Sequence, residues 1–268
     1  RLAEATHAIQ RALGGRHAPA PASHAPSSRP HDGHVIEGLF RVVDSRPPEK
    51  ARSQFATRSY TNAAGTRQYK VYVPARHSAQ ALPVVVMLHG CKQGPDDFAA
   101  ATRMNALAEE HGLVVVYPKQ AVKANNSNCW NWFESRHQQR EAGEPSIIAG
   151  ITREVLATYG ADAHRVYIAG LSAGGAMAAV MAITYPDVYA AVGIHSGLPY
   201  ASAHDVPSAF SAMRGDGAPR PTPASSGMRS VPTIVFHGDR DATVHPSNGD
   251  ELIADAAKVA RPAAGADS

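Results

Sequence analysis

Apolar and polar positions alternate through the early part of the chain. Residues 57–61 and 67–73 read as half-buried strands, and Asn62-Ala63-Ala64-Gly65 supplies a turn between them. The pair predicts an antiparallel hairpin. The pattern then changes. Pro83-Val84-Val85-Val86-Met87-Leu88 is a continuous apolar run, as in a strand covered on both faces. Similar runs recur at 113–117, 165–169, 189–194 and 231–236. Helical spacing fills the intervals. Phe98, Ala101, Met104, Leu107 and Ala108 share one face of a helix that Asp96 or Asp97 can cap and Gly112 can end. Ile148, Ile151, Val155 and Tyr159 mark a second helix, with Pro145 at its expected first position. Residues 174–184, rich in Ala and Met, make a third, and Leu252, Ile253, Ala256 and Val259 line a fourth over 247–261. Strands alternating with helices predict an α/β fold: a mostly parallel sheet flanked by helices, with its site at the carboxyl ends of the strands.

The flanks differ. Leu2, Ala5, Ile9 and Leu13 permit a short helix over residues 1–13, and residues 14–33 are Gly, Pro, Ala, His and Ser with little to bury, which reads as a disordered linker. Residues 44–53 read as loose, and 214–230, rich in Pro, Gly and Ser, as a mobile surface loop. The first residue is Arg1, so the chain is read as a processed or trimmed product, and its start lacks the apolar core of a signal peptide.

Composition narrows the function classes. Hydrophobic residues make up 44% and charged residues 18% of 268, as in a soluble globule. The net charge of +3 is spread without a Lys/Arg block, so nucleic acid is not an expected partner. No apolar run approaches the roughly 18–20 residues needed to cross a bilayer, so no membrane association is expected. No His/Cys/Asp spacing suggests a metal and no Gly-rich loop a nucleotide, so no cofactor is expected. Cys91 and Cys129 are the only cysteines, and the residues alone leave open whether they are buried thiols or one disulfide.

One motif carries chemistry. Gly170-Leu171-Ser172-Ala173-Gly174-Gly175 follows the strand at 165–169 and opens the Ala/Met helix. A G-x-S-x-G sequence in a strand-turn-helix context is a nucleophile elbow, which lifts the serine hydroxyl above the sheet at a helix N-terminus. Ser172 is the expected nucleophile. The run at 231–236 leads into His237-Gly238-Asp239-Arg240-Asp241, where a triad acid belongs. Asp239 can bind its own turn amides as an Asx turn, and Asp241, further out toward the cleft, is the favoured acid. The loop after Leu88 should supply the second oxyanion donor. The backbone N–H groups of Cys91 and Ala173 are the expected oxyanion hole, with His89 shaping that loop at the cleft.

These motifs together resemble the polyhydroxybutyrate depolymerase family of esterases, whose relatives include feruloyl and acetylxylan esterases. The matching segments are Leu88-His89-Gly90-Cys91, Tyr117-Pro118-Lys119-Gln120, Cys129-Trp130-Asn131-Trp132-Phe133, Gly170 through Gly175, and residues 237–246; the tryptophan segment is the most specific. The resemblance implies an α/β-hydrolase fold, a serine esterase acting by an acyl-enzyme, an extracellular or exported setting, and a disulfide between Cys91 and Cys129. It implies that Trp130 and Trp132 line the cleft against a polyester or aromatic acyl chain; plain core packing is the alternative. The substrate is expected to be a small-molecule or polyester ester, with the oligomeric state unread. On this reading residues 1–54 form the helix and linker, and 55–268 the catalytic domain.

The same pattern puts the general-base histidine one helix and one strand beyond the acid. Residues 262–268 contain neither strand nor histidine, so the domain is read as truncated at its carboxyl end, its last strand missing. His245 and His195 are the substitutes within the chain, and both are expected near the cleft. Two other readings stay open: a serine peptidase of the same fold, and a truncated hydrolase-like domain that binds without turnover.

Overall fold

A computed structural model describes residues 52–75, 80–217 and 229–260. The helix and linker read at 1–33, most of the loose segment at 44–53, and most of the loop at 214–230 lie outside the described residues.

The hairpin forms as β1 (Gln54–Asn62) and β2 (Gly65–Val73), with Asn62 facing Gly65 across the turn. Asn62 Oδ1 accepts the Ala64 N–H at 2.9 Å, an Asx turn that closes the hairpin. The apolar runs become β3 (Val84–Leu88), β4 (Val114–Pro118), β5 (Val166–Leu171), β6 (Ala191–His195) and β7 (Thr233–Phe236). The sheet order is β1-β2-β4-β3-β5-β6-β7. β2 joins β4 antiparallel, and every pairing from β4 through β7 is parallel. This is the α/β-hydrolase fold. β5 lies in the parallel part of the sheet between β3 and β6, so the loops leaving β3, β5, β6 and β7 all open on one end.

Helices connect the strands: α1 (Pro95–Thr102), α2 (Met104–His111), α3 (Gly143–Tyr159), α4 (Ala173–Thr184), α5 (Val206–Met213) and α6 (Ser247–Ala260). Two boundaries differ from the sequence reading. The single helix expected over 96–111 is two, broken at Arg103, whose φ of 56° is left-handed. The break still lets Phe98 and Ala108 both pack against Met87, Val115 and Tyr117 on one side of the sheet. Pro145 is the third residue of α3 rather than its first. It remains within the first turn, where its missing N–H leaves no intrahelical bond unmade. α5 was not foreseen. Its start is held by Asp205, whose Oδ1 accepts the Ser208 N–H at 2.8 Å.

Strand alternation divides the core. Val84, Val86 and Leu88 of β3 join the larger cluster, with Ile148 and Ile151 of α3 and Met177 and Met181 of α4, while Met87 turns to the other face. Each such fully buried aliphatic side chain stabilises the fold by roughly 1.5–3 kcal/mol. Among the described residues β1 and β7 are the edge strands, and Ile234 and Phe236 of β7 remain about half exposed.

Candidate active site

The turn between β5 and α4 is strained at one residue. Ser172 has φ 56° and ψ −120°, a conformation that L side chains rarely adopt and that is kept only where the surroundings impose it. The glycines on either side show what imposes it. A Cβ on Gly170 would lie 2.1 Å from the Gly174 carbonyl oxygen, and a Cβ on Gly174 would lie 2.1 Å from the Leu88 carbonyl oxygen. Strand, turn and helix therefore pass too closely for any side chain. The Ser172 N–H donates to the His195 carbonyl at 2.8 Å, which ties the elbow to the end of β6. Ser172 stands at the N-terminus of α4, where the helix dipole favours developing negative charge.

The loop after β3 lies against this elbow. A Cβ on Gly90 would be 3.7 Å from the Ser172 Cβ. The N–H groups of Cys91 and Ala173 have no protein acceptor among the described residues, as donors held ready for an oxyanion must be. Cys91 is disulfide-bonded to Cys129. The Lys92 N–H donates to the Ser127 carbonyl at 2.6 Å, a second tie between the loop after β3 and the loop carrying the tryptophans.

The acid candidates separate clearly. Asp241 Oδ1 accepts the N–H groups of Thr243 at 2.9 Å and Val244 at 3.1 Å. The Asx-type turn expected of Asp239 thus belongs to Asp241, and Asp239 is exposed. Burial raises the Asp241 carboxyl, but the Val244 and Thr243 amides, the Ser196 hydroxyl and the nearby His237 outweigh it and hold the group below the usual carboxylate range. Its other oxygen lies 3.7 Å from His237 Nε2.

The histidines sort by their bonds. His89 is buried, not a cleft surface. Its Nδ1 donates to the Gly90 carbonyl at 2.8 Å, and its Nε2 accepts the Gln120 N–H at 3.1 Å. His237 Nε2 donates to the Val244 carbonyl at 2.8 Å. His245, exposed, engages Nδ1 with the Ser247 hydroxyl at 2.8 Å and packs against Gly215, so it organises the start of α6. His195, also exposed, stacks on Phe236. Burial and the neighbouring His237 push its imidazole below the ordinary value, while Asp241 pulls it up.

Trp130 and Trp132 are corrected. Trp130 is fully buried, its Nε1 donating to the His89 carbonyl at 3.2 Å, and Trp132 is buried with its ring edge-on to Phe133. Neither offers a face to a ligand. Trp130 supports the loop after β3 from within the core.

Sequence reasoning missed a buried polar group beneath that loop. Glu144, Arg67 and Gln120 are buried together with Asn131. The available signals were Gln120 at the end of an apolar strand and Glu144 beside Pro145 at a helix start. Among the described residues no group of three or more His, Cys, Asp or Glu is placed to hold a metal ion. None of the described helices is long and apolar enough to cross a membrane.

The profile of the family described as Esterase PHB depolymerase matches residues 67–263. The chain belongs to that family. Within this depolymerase-type esterase family, the chain is 38% identical over 204 residues to poly(3-hydroxyalkanoate) depolymerase C of Paucimonas lemoignei, covering 72% of this chain and 48% of the relative. It is 35% identical over 152 residues to feruloyl esterase B of Neurospora crassa, covering 56% of this chain and 50% of the relative. The chain spans about half the length of these curated relatives. Among solved structures, the acetyl xylan esterase from Aspergillus awamori superposes with a TM-score of 0.67 at 24% identity, over 79% of this chain and 82% of that one. At that identity the likeness speaks for the shared α/β-hydrolase fold of this family member.

Proposed function

We propose that the chain is a serine carboxylic-ester hydrolase with Ser172 as nucleophile, Asp241 as triad acid, and the Cys91 and Ala173 amides as oxyanion hole. The observation that carries it is the strained Ser172, held at a helix N-terminus beside two amides without protein acceptors. Ser172 Oγ attacks the ester carbonyl carbon as an imidazole takes its proton. The carbonyl oxygen becomes an oxyanion on the two amides, and the imidazolium protonates the departing alcohol. Water, deprotonated by the same imidazole, then cleaves the acyl-enzyme, releasing the acid and restoring Ser172. Asp241 holds the imidazole tautomer and offsets its positive charge.

The family resemblance assigns the general base to a histidine that follows α6. His195, whose ring shares the field of Asp241, is the alternative among the described residues. The substrate class is a carboxylic ester, either a poly(3-hydroxyalkanoate)-type polyester or a short-chain or feruloyl-type ester, from the ester chemistry named in the relatives. The Cys91–Cys129 disulfide supports an exported setting, since such bonds persist in oxidising compartments. Covalent trapping tests the nucleophile: a fluorophosphonate probe should add to Ser172, read by peptide mass spectrometry. Labelling elsewhere, with Ser172 unmodified, would remove the assignment.

A further inference from the structure

The buried group beneath the oxyanion loop has a direction. Glu144, in the first turn of α3, is 1% exposed. Four donors converge on its carboxylate. Oε1 accepts from Gln120 Nε2 at 2.5 Å, Asn131 Nδ2 at 2.9 Å and Arg67 Nη2 at 3.4 Å, and Oε2 accepts the Asn131 N–H at 2.8 Å. Gln120 is in turn fully used. Its second amide hydrogen goes to the Cys129 carbonyl at 2.8 Å, and its Oε1 accepts from Arg67 Nε and the Ala121 N–H, both at 2.9 Å. Rotating that amide by half a turn would set like groups against each other at every contact.

The bond that leaves this group is the Gln120 backbone N–H to His89 Nε2, at 3.1 Å. An N–H donor there requires a lone pair on Nε2, so the imidazole proton sits on Nδ1. Nδ1 donates to the Gly90 carbonyl at 2.8 Å. The Gly90 carbonyl and the Cys91 N–H are two ends of one planar peptide unit. Fixing the carbonyl fixes the direction of the N–H, and a hydrogen bond to the carbonyl strengthens the N–H as a donor. A second arm holds the same loop. Asn131 lies next to Trp130, whose Nε1 donates to the His89 carbonyl, and close to Cys129, which is bonded to Cys91.

We infer that Glu144 is a positioning residue for the oxyanion hole: through Gln120 it sets the His89 tautomer that aims the Cys91 N–H. The inference rests on the ester-hydrolase reading, because only an oxyanion gives that amide a task. A buried ion pair is weak evidence for stability, and this one is connected bond by bond to the loop beside Ser172. Positioning of a transition-state donor appears in kcat and leaves KM nearly alone.

The test combines kinetics with a tautomer readout on the full chain. Glu144→Gln keeps the shape but turns an amide N–H₂ toward the donors. With short-chain p-nitrophenyl esters and an unchanged circular dichroism spectrum, kcat should fall 10- to 100-fold with KM within about threefold, against roughly 10²–10³ for outright loss of one oxyanion donor. Glu144→Asp should recover part of the loss. Nitrogen-15 spectra of histidine-labelled wild type, with His89 assigned by its absence from His89→Gln, should show the Nδ1–H tautomer at neutral pH. The spectra need no variant of Glu144 and decide the matter if that variant fails to fold. A folded Glu144→Gln with wild-type kcat, or wild-type His89 protonated on Nε2, overturns the inference. An inactive wild type that carries the base histidine after α6 would instead undo the ester-hydrolase reading, while the His89 spectrum would still report whether the relay exists.

Discussion

Gln120 donates its backbone N–H to Nε2 of His89 across 3.1 Å, and this bond requires a neutral imidazole. Burial pushes His89 below the ordinary histidine value of 6.5, against the weaker pull of its hydrogen bond to the Gly90 carbonyl and of Asp97, and with that of Lys119. Burial lowers His137 likewise; its Nδ1 accepts the Glu144 N–H at 2.9 Å. Both groups bind protons more weakly folded than unfolded. Below about pH 6.5 the unfolded chain therefore takes up more protons, and stability is lost as pH falls. The melting temperature should be nearly level above pH 7 and decline steadily from pH 6.5 to 5. A melting temperature that rises on acidification through this range would contradict the assignment of these two histidines as neutral.

The two aspartates after β7 should behave very differently. Asp241 accepts two turn amides and faces Ser196 and His237, and Asp239 is exposed. In an active preparation Asp241→Asn should lower kcat by roughly 10³–10⁴-fold, the scale of losing the group that orients an imidazole. Asp239→Asn should stay within about threefold. The reverse order in steady-state kinetics would move the triad acid to Asp239.

Crowding at the elbow sets a stability prediction. A Cβ on Gly174 would meet the Leu88 carbonyl oxygen at 2.1 Å, backbone that no rotamer change can move away. Gly174→Ala should destabilise by about 3 kcal/mol or more, at the upper end for overpacking. Gly160→Ala, where nothing lies within 4 Å but φ is +58°, should cost only about 1 kcal/mol from backbone strain. Urea titrations of both variants read the difference, and equal midpoints would show that the elbow can relax.

The Cys91–Cys129 disulfide closes a loop of 38 residues in sequence separation. In the chain-entropy account such a loop is worth up to about 4 kcal/mol. The Cys91→Ser, Cys129→Ser double variant should be less stable by about 2–4 kcal/mol in chemical denaturation, and dithiothreitol should shift only the wild type. Identical curves for the two proteins would mean that the bond does not form.

The sheet was legible because buried parallel strands write themselves as unbroken apolar runs, as β3 through β6 did; β7 carries such a run too, although it is an edge strand with Ile234 and Phe236 half exposed. Ser172 was legible because its motif sits between such a run and a helix. The break at Arg103 was not, since Phe98, Ala101, Met104 and Ala108 keep helical spacing across it. The tryptophans misled for a related reason: a large ring with one polar atom suits a cleft or a core equally. What decided between them was a carbonyl brought to Trp130 from 41 residues away in sequence. The Glu144 group was invisible for the same cause. Arg67, Gln120, Asn131 and Glu144 come from four separated segments, and a buried carboxylate in sequence looks like a solvated one. The disulfide came from family resemblance, because two cysteines alone do not say whether they meet.

Hydrolysis of short-chain p-nitrophenyl esters by a protein that carries the base histidine after α6, and by its Ser172→Ala variant, with the mass of each verified, tests the central claim most directly. The account predicts turnover by the wild type and a loss of at least about 10³-fold in the variant, with the fold unchanged. Full activity in Ser172→Ala, or a folded wild type that turns over no ester, would contradict it.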